Sequence, residues 1–174
     1  ICASEYNKKM LPIDSRAIYN VDVPREISVS KDLKAVFEIR KIIKSEKPDV
    51  LYCHSSMSGA IGRTAATGLK CKVVYNPHGW SFDMEVSPKK KMFYRFLEKI
   101  MAMKTDKTVA ISEYEKRSAL KNKICSESKI EVIYNGIDLD KCKSAKSERT
   151  KLGYREKDFI VGCAARLSEQ KDPM

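Results

Sequence analysis

The sequence predicts an α/β fold: an open parallel sheet with helices on both faces. Three observations carry this. Short apolar runs rich in β-branched residues recur at Val50–Cys53, Lys72–Asn76, Thr108–Ile111 and Ile130–Tyr134. Between them lie segments whose apolar residues follow helical spacing. The runs return at intervals of roughly 20–35 residues, the length of a strand–helix–strand unit, and such units pair their strands in parallel.

In chain order, Ile1-Cys2-Ala3-Ser4 reads as a strand end, so the chain is expected to begin inside a domain. Ala17 to Val23 carries β-branched residues and stops at Pro24, a strand. From Asp32 to Ser45, Leu33, Val36, Phe37, Ile39, Ile42 and Ile43 fall at helical spacing, with Ser30 or Asp32 as a cap, and Lys47-Pro48-Asp49 ends the helix. Val50–Cys53 is a strand of the type buried on both faces. Ser55 to Ala66 reads as a helix of small residues closed by Gly68, and Lys72–Asn76 as the next strand. Pro88 to Met103 is a helix, Thr108–Ile111 a strand, Glu113 to Lys121 a helix and Ile130–Tyr134 a further strand. Leu139 to Asp158 is lysine-rich and poor in large apolar residues, a linker with one helical turn around Ser147 to Leu152. Phe159–Ala165 is then a fresh apolar strand. The expected organisation is therefore a domain over 1–138, a linker over 139–158 and the start of a second domain over 159–174.

At 174 residues with 43% hydrophobic and 33% charged side chains, the chain has the composition of a globular protein with a real core. No apolar run approaches the roughly 18 residues of a membrane-spanning helix. The six cysteines, Cys2, Cys53, Cys71, Cys125, Cys142 and Cys163, show no C-x-x-C spacing, and only two histidines could join them, which argues against zinc. Free cysteines in a reducing cytosol are the plainest account. The net charge of +11 predicts attraction to an anionic partner: nucleic acid, an acidic membrane surface or a phosphorylated substrate. Without a zinc finger, an RNA-binding aromatic motif or a helix-turn-helix signal, nucleic acid ranks last.

Polar groups gather at three strand tips. Val50–Cys53 leads into His54-Ser55-Ser56, Val73–Asn76 into Pro77-His78-Gly79, and Val109–Ile111 into Ser112-Glu113. Parallel strands place all three at one sheet edge, the edge where open α/β sheets bind ligands. Pro77 cannot donate to a ladder and Gly79 tolerates angles other residues avoid, so this strand must end in a shaped loop. Ser55 and Ser56 open a helix whose free N–H groups suit a phosphate or a sugar hydroxyl; simple N-capping is the alternative. The hydrolytic elbow G-x-S-x-G, the phosphate loop G-x-x-x-x-G-K-[ST] and the dinucleotide fingerprint G-x-G-x-x-G are all absent. Asp138-Leu139-Asp140 spells D-x-D at the mouth of the linker, where a turn accounts for it without a metal.

Four ordered segments resemble the GT-B glycosyltransferases of family four, and among them the bacterial capsule and exopolysaccharide type. They are Lys47-Pro48-Asp49-Val50 with His54-Ser55-Ser56 and Gly59-Ala60-Ile61-Gly62-Arg63; Pro77-His78-Gly79-Trp80-Ser81-Phe82; Ile111-Ser112-Glu113 with Ile133-Tyr134-Asn135-Gly136-Ile137-Asp138; and Val161 through Lys171. The similarity runs from about Val21 to the end. It implies the N-terminal, Rossmann-like half of a GT-B fold, truncated at both ends, with the last residues opening a nucleotide-sugar domain.

That resemblance implies a retaining hexosyltransferase of polysaccharide assembly. It would move sugar from a nucleotide sugar, UDP-linked, to a saccharide or polyprenyl-diphosphate-linked acceptor, with no cofactor and no metal. Matched residue by residue, His78 is the catalytic histidine beside the transferred sugar, with Gly79 in its loop. Arg166 and Lys171 are the basic pair on the donor diphosphate. His54, Ser55, Ser56 and Ser112 line the acceptor side. Arg63 also matches a family position, where a helix-surface or a packing role accounts for it at least as well. The glycine-rich loop after the family's first strand, and the part of the donor domain that carries the family's acidic E-x7-E motif, are expected to lie outside these residues, so these 174 residues alone are expected to transfer no sugar. A non-catalytic basic binding module and a nucleotide-sugar epimerase of the same fold are the alternatives.

Between Lys89 and Lys107 lie seven Lys or Arg against Glu98 and Asp106, with Met92, Phe93, Phe96, Leu97, Ile100 and Met101 opposite. This pattern over 88–104 fits a helix lying on an anionic membrane, and equally a helix whose apolar stripe packs on the sheet with its lysines in water. With a lipid-linked acceptor, the first reading implies a cytoplasmic protein, peripheral on the inner face of the plasma membrane.

Overall fold

A computed structural model describes residues 2–3, 18–23, 28–140 and 149–162. It divides into two compact units, Ile1–Tyr134 and Asn135–Met174. In the first, a short parallel pair, β1 (Cys2–Ala3) and β2 (Tyr19–Asn20), precedes the main sheet. The strand expected over 17–23 pairs only at its centre, while Val21 just beyond it is buried. Helix α1 (Val29–Glu46) follows, three residues longer at its start than its apolar spacing suggests. Asp32 caps it by accepting the backbone N–H of Ser28, and Lys47, left-handed at φ 48° before Pro48, ends it.

The main sheet is built from β3 (Val50–His54), β4 (Lys72–Asn76), β5 (Lys107–Ala110) and β6 (Ile130–Val132), all parallel and in that spatial order. The crossovers carry α2 (Ser56–Ala66), α3 (Pro88–Ala102) and α4 (Glu113–Lys121). This is an open α/β sheet of the Rossmann type. Register sets His54 opposite Asn76 and Ala110 opposite Val132, so the strands end together at one edge. At the opposite edge Asp106 accepts the N–H of Val73 and the Lys72 ammonium, and these bonds hold its carboxyl below the usual carboxylate range.

The small residues of α2 have a packing reason. A Cβ on Gly59 would run into the Tyr75 ring, and one on Gly62 would meet Cys53 Sγ at 2.7 Å. The two glycines let the helix backbone lie directly on β3 and β4. Arg63 is buried: its guanidinium carbon sits 3.7 Å from the Tyr75 ring centroid, and its Nη2 lies 3.0 Å from Glu98 Oε2. Tyr75 donates to Glu98 Oε1 at 3.0 Å, and burial, then Glu98, push its phenol well above the usual range. Of the two readings left open for Arg63, packing is the observed one.

In α3 the buried positions are Glu98 and Ala102. Met92 (68% exposed), Phe93 (48%) and Phe96 (60%) face outward instead, so half of the apolar stripe is turned away from the core while Leu97, Ile100 and Met101 are half-buried. The buried Arg63 and Tyr75 need Glu98 on the inner side, and that requirement turns the phenylalanines out.

In the second unit, Leu152 and Gly153 donate back to the carbonyls of Arg149 and Thr150, matching the turn expected near 147–152. Arg149 Nη1 gathers the carbonyls of Arg155, Glu156 and Asp158. The strand expected over 159–165 is not formed at 159–162, where Phe159 and Val161 are almost fully exposed and have no sheet beside them among the described residues. Residues 163–165, Arg166 and Lys171 lie outside the described residues.

Candidate functional site

The tip of β4 is shaped by its own sequence. Asn76 is buried and its Oδ1 accepts the backbone N–H of His78 at 3.1 Å, an Asx-type turn across Pro77. His78 is thereby held at φ 52° and Gly79 at φ 101°. Left-handed backbone at a residue other than glycine costs roughly 1–3 kcal/mol and persists only where neighbours enforce it. Two do so here. Asn76 fixes the entry, and the Glu115 carboxylate accepts the N–H of Gly79. Trp80 then donates its indole N–H to the Glu115 carbonyl at 2.9 Å and stacks on Phe82, anchoring the exit of the loop in the core.

Glu115 also accepts the N–H of Ile111 at 2.6 Å, which ties the β5 tip to the β4 tip. It lies three residues into α4, whose N-cap Ser112 accepts the Glu115 backbone N–H at 3.2 Å. Sequence reasoning missed both Asn76 and Glu115. The signals were there: Asn before Pro is an Asx-turn pattern, and Ser112-x-x-Glu115 has the spacing of a capping box. What sequence could not tell is that the glutamate would serve two neighbouring strand tips in place of its own N-cap.

His54 ends β3 and meets His78 directly. His54 Nδ1 lies 2.8 Å from His78 Nε2, and the two rings meet edge to edge, with centroids 5.1 Å apart and planes 18° from parallel. Tyr52 leans on the other side of His54 at 4.2 Å. Partial burial, then the neighbouring His78, lower the His54 pKa from its ordinary value. At neutral pH His54 is therefore an uncharged imidazole, free to act as donor at one nitrogen and acceptor at the other.

The serines divide. Ser55 is left-handed at φ 63°, its N–H bonds the Asn76 carbonyl, and its hydroxyl reaches only Ser58, so it stays at the edge. Ser56 opens α2 half-buried, with its hydroxyl near the Tyr75 phenol. Ser112 serves as the α4 cap. Of the candidate residues, His54, Ser55, His78 and Gly79 therefore form one exposed cluster, with Ser56 and Ser112 engaged behind it. No group of three or more His, Cys, Asp or Glu side chains among the described residues is placed to hold a metal ion. A hollow of about 350 Å³ opens at the far edge of the sheet, between Thr67, Cys71, Lys104, Asp106 and Lys129, away from this cluster.

An edge carrying two imidazoles and a serine hydroxyl suits hydroxyl-rich ligands, because each of these side chains can donate or accept a directional hydrogen bond. Comparison with known proteins identifies the family. The model of Glycosyltransferase Family 4 matches residues 2–141. The chain is 33% identical over 165 residues to an Escherichia coli UDP-Gal:alpha-D-GlcNAc-diphosphoundecaprenol alpha-1,3-galactosyltransferase, covering 91% of this chain and 42% of that protein. It is 24% identical over 175 residues to the capsular polysaccharide biosynthesis glycosyltransferase CapM of Staphylococcus aureus, covering 97% of this chain and 46% of the relative. The chain thus spans less than half the length of these relatives. A Rickettsia bellii UDP-N-acetylglucosamine 2-epimerase superposes with a TM-score of 0.62 at 12% identity, covering 88% of this chain and 43% of that one, a likeness of fold alone.

Proposed function

Because the chain belongs to glycosyltransferase family 4, we propose that the full-length protein moves a sugar from a nucleotide-sugar donor to an acceptor in polysaccharide biosynthesis, retaining the anomeric configuration. The donor is UDP-linked and the acceptor a saccharide carried on polyprenyl diphosphate; the reactants named for the Escherichia coli relative support both. Residues 1–138 form the acceptor-side domain, 139–158 the linker, and 159–174 begin the domain that binds the nucleotide sugar.

His78 is the observation that carries the reading. A sequence-matched histidine sits at the C-terminal sheet edge in a left-handed turn that Asn76 of its own strand and Glu115 of α4 enforce. Structures hold such strain where a side chain must be aimed. In transfer, the bond from the sugar C1 to the donor phosphate oxygen breaks with its electron pair leaving on the diphosphate. Negative charge grows there, and fixed cations at that point stabilise the transition state more than the ground state. Arg166 and Lys171 fill that role in this reading. His78 orients the sugar as its C1 loses the leaving group, and His54 and Ser55 receive the acceptor.

The protein works at the inner face of the plasma membrane, held by α3. Outward-facing Met92, Phe93 and Phe96 beside Lys89, Lys90 and Lys99 support this, as does the lipid-linked acceptor of the relative. No helix among the described residues is long and apolar enough to cross a membrane. These 174 residues alone transfer no sugar. The test is a donor-turnover screen of the full-length protein across UDP-, GDP- and dTDP-sugars, repeated with His78→Ala. Turnover of one donor class, lowered at least 100-fold by the substitution, is expected. Unchanged transfer by His78→Ala would remove the central assignment.

A further inference from the structure

Resting on the assignment of His78 to the transferred sugar, we propose that His54 is a positioning residue. It holds the His78 ring in one tautomer and so decides that His78 meets the sugar as a hydrogen-bond acceptor. The argument starts from the 2.8 Å separation of His54 Nδ1 and His78 Nε2. One hydrogen bond needs one N–H and one lone pair, so these two nitrogens hold one proton between them. The tautomer of either ring therefore fixes that of the other.

Which ring donates follows from imidazole chemistry. A neutral histidine ring with no partner is a mixture of tautomers in which the proton on Nε2 is favoured over that on Nδ1. If His78 donates from Nε2 to His54 Nδ1, both rings keep that preferred form; the reverse would force both into the less favoured one. With its Nε2 engaged, His78 presents Nδ1 to a ligand, and Nδ1 carries the lone pair. A sugar hydroxyl then donates to His78. The surroundings are consistent. Tyr52 packs against the His54 ring, Asn76 holds the His78 backbone, and the carboxylate facing this loop, Glu115, is spent on the N–H groups of Gly79 and Ile111 rather than on either ring. The lowered pKa of His54 keeps that ring neutral and its Nδ1 lone pair available.

The experiment uses the full-length protein labelled with ring-15N histidine, with the His78 signals assigned by their loss in His78→Gln. The wild type is expected to show His78 with a protonated Nε2 and a bare Nδ1. In His54→Phe, which keeps the ring shape without an acceptor, the two His78 shifts are expected to move toward each other as tautomers mix. His54→Gln, whose carbonyl can accept from Nε2, is expected to restore them. Transfer from whichever UDP-sugar the screen identifies should lose about tenfold in kcat with little change in donor KM in the Phe variant, the scale of one hydrogen bond, and recover in the Gln variant. Unmoved His78 shifts in His54→Phe, or a wild-type His78 protonated on Nδ1, would overturn the proposal. A fully active His54→Phe beside an inactive His78→Ala would overturn it while leaving the His78 assignment standing. A fully active His78→Ala would instead remove the reading on which it rests.

Discussion

Glu115 shows how one side chain can govern a site it does not enter. Its carboxylate takes the N–H groups of Gly79 and Ile111, and its backbone carbonyl takes the Trp80 indole, so two strand tips and the loop exit converge on one buried residue. Glu115→Ala leaves both part-buried amides without their partner, each losing a hydrogen bond to a charged group worth about 1.5–3 kcal/mol before water replaces part of it. The expected loss is roughly 2–4 kcal/mol in urea unfolding of the full-length protein. Transfer should fall as well, because the left-handed His78 turn relaxes. Glu115→Gln is expected to lie between, since its amide oxygen satisfies one N–H while its NH₂ faces the other. A Gln variant as stable and active as the wild type would show that the carboxylate is not what holds the loop. At this scale the sequence was half legible. The residue types at the tips could be read, because strand ends with Pro and Gly announce a shaped loop. The contact between His54 and His78 could not be, because register sets His54 opposite Asn76 and only the turn beyond brings His78 back to it.

At the scale of elements, α2, α3 and β4 are locked by a buried trio. Arg63 lies over Tyr75, and both bond Glu98 from α3. A buried ion pair adds little over an apolar replacement, but breaking one by removing a single partner is costly. Glu98→Ala strands a buried guanidinium and is expected to lower unfolding stability by about 3–5 kcal/mol. Glu98→Gln, still able to accept from Arg63 or Tyr75, should cost distinctly less. Equal midpoints for Glu98→Ala and wild type in denaturant would show that the trio is not buried in solution. Every main strand and helix of the first unit followed from apolar runs and helical spacing, which are local properties. But β3, expected to be buried on both faces, exposes Val50 and Tyr52 because it stands at the edge of the four-stranded sheet. Which helical position faces inward was not local. Glu98 reads as one acid in a basic helix until Arg63, 35 residues earlier, arrives beneath it. At 159–162, the described part of the strand expected over 159–165, none is formed for a related reason: an apolar run makes a strand only where another strand receives it, and none lies beside it among the described residues.

For the molecule as a whole, the +11 charge and the turning of α3 have one joint consequence. Because Glu98 must face the core, Phe93 and Phe96 are carried outward into the same surface as Lys89, Lys90 and Lys99. Neither feature alone would hold a protein on a bilayer. Each lysine near an anionic surface contributes about 1 kcal/mol, and that contribution fades as salt screens it. Each phenylalanine, half exposed at the start, contributes at most roughly 1.5–3 kcal/mol on insertion. Together they reach the range of useful membrane affinity at physiological salt. The full-length protein is therefore expected to sediment with vesicles rich in phosphatidylglycerol at low salt and to be partly released by high salt. On vesicles of phosphatidylcholine alone, binding should be weak. Phe93→Ser with Phe96→Ser, both at positions already exposed, should leave the fold intact and reduce vesicle binding at least tenfold, whereas Lys89→Gln with Lys90→Gln should chiefly flatten the salt dependence. Failure of the wild type to sediment with anionic vesicles at low salt would remove the membrane reading. Sedimentation unaffected by the double Phe substitution would move the contact to another face of the molecule.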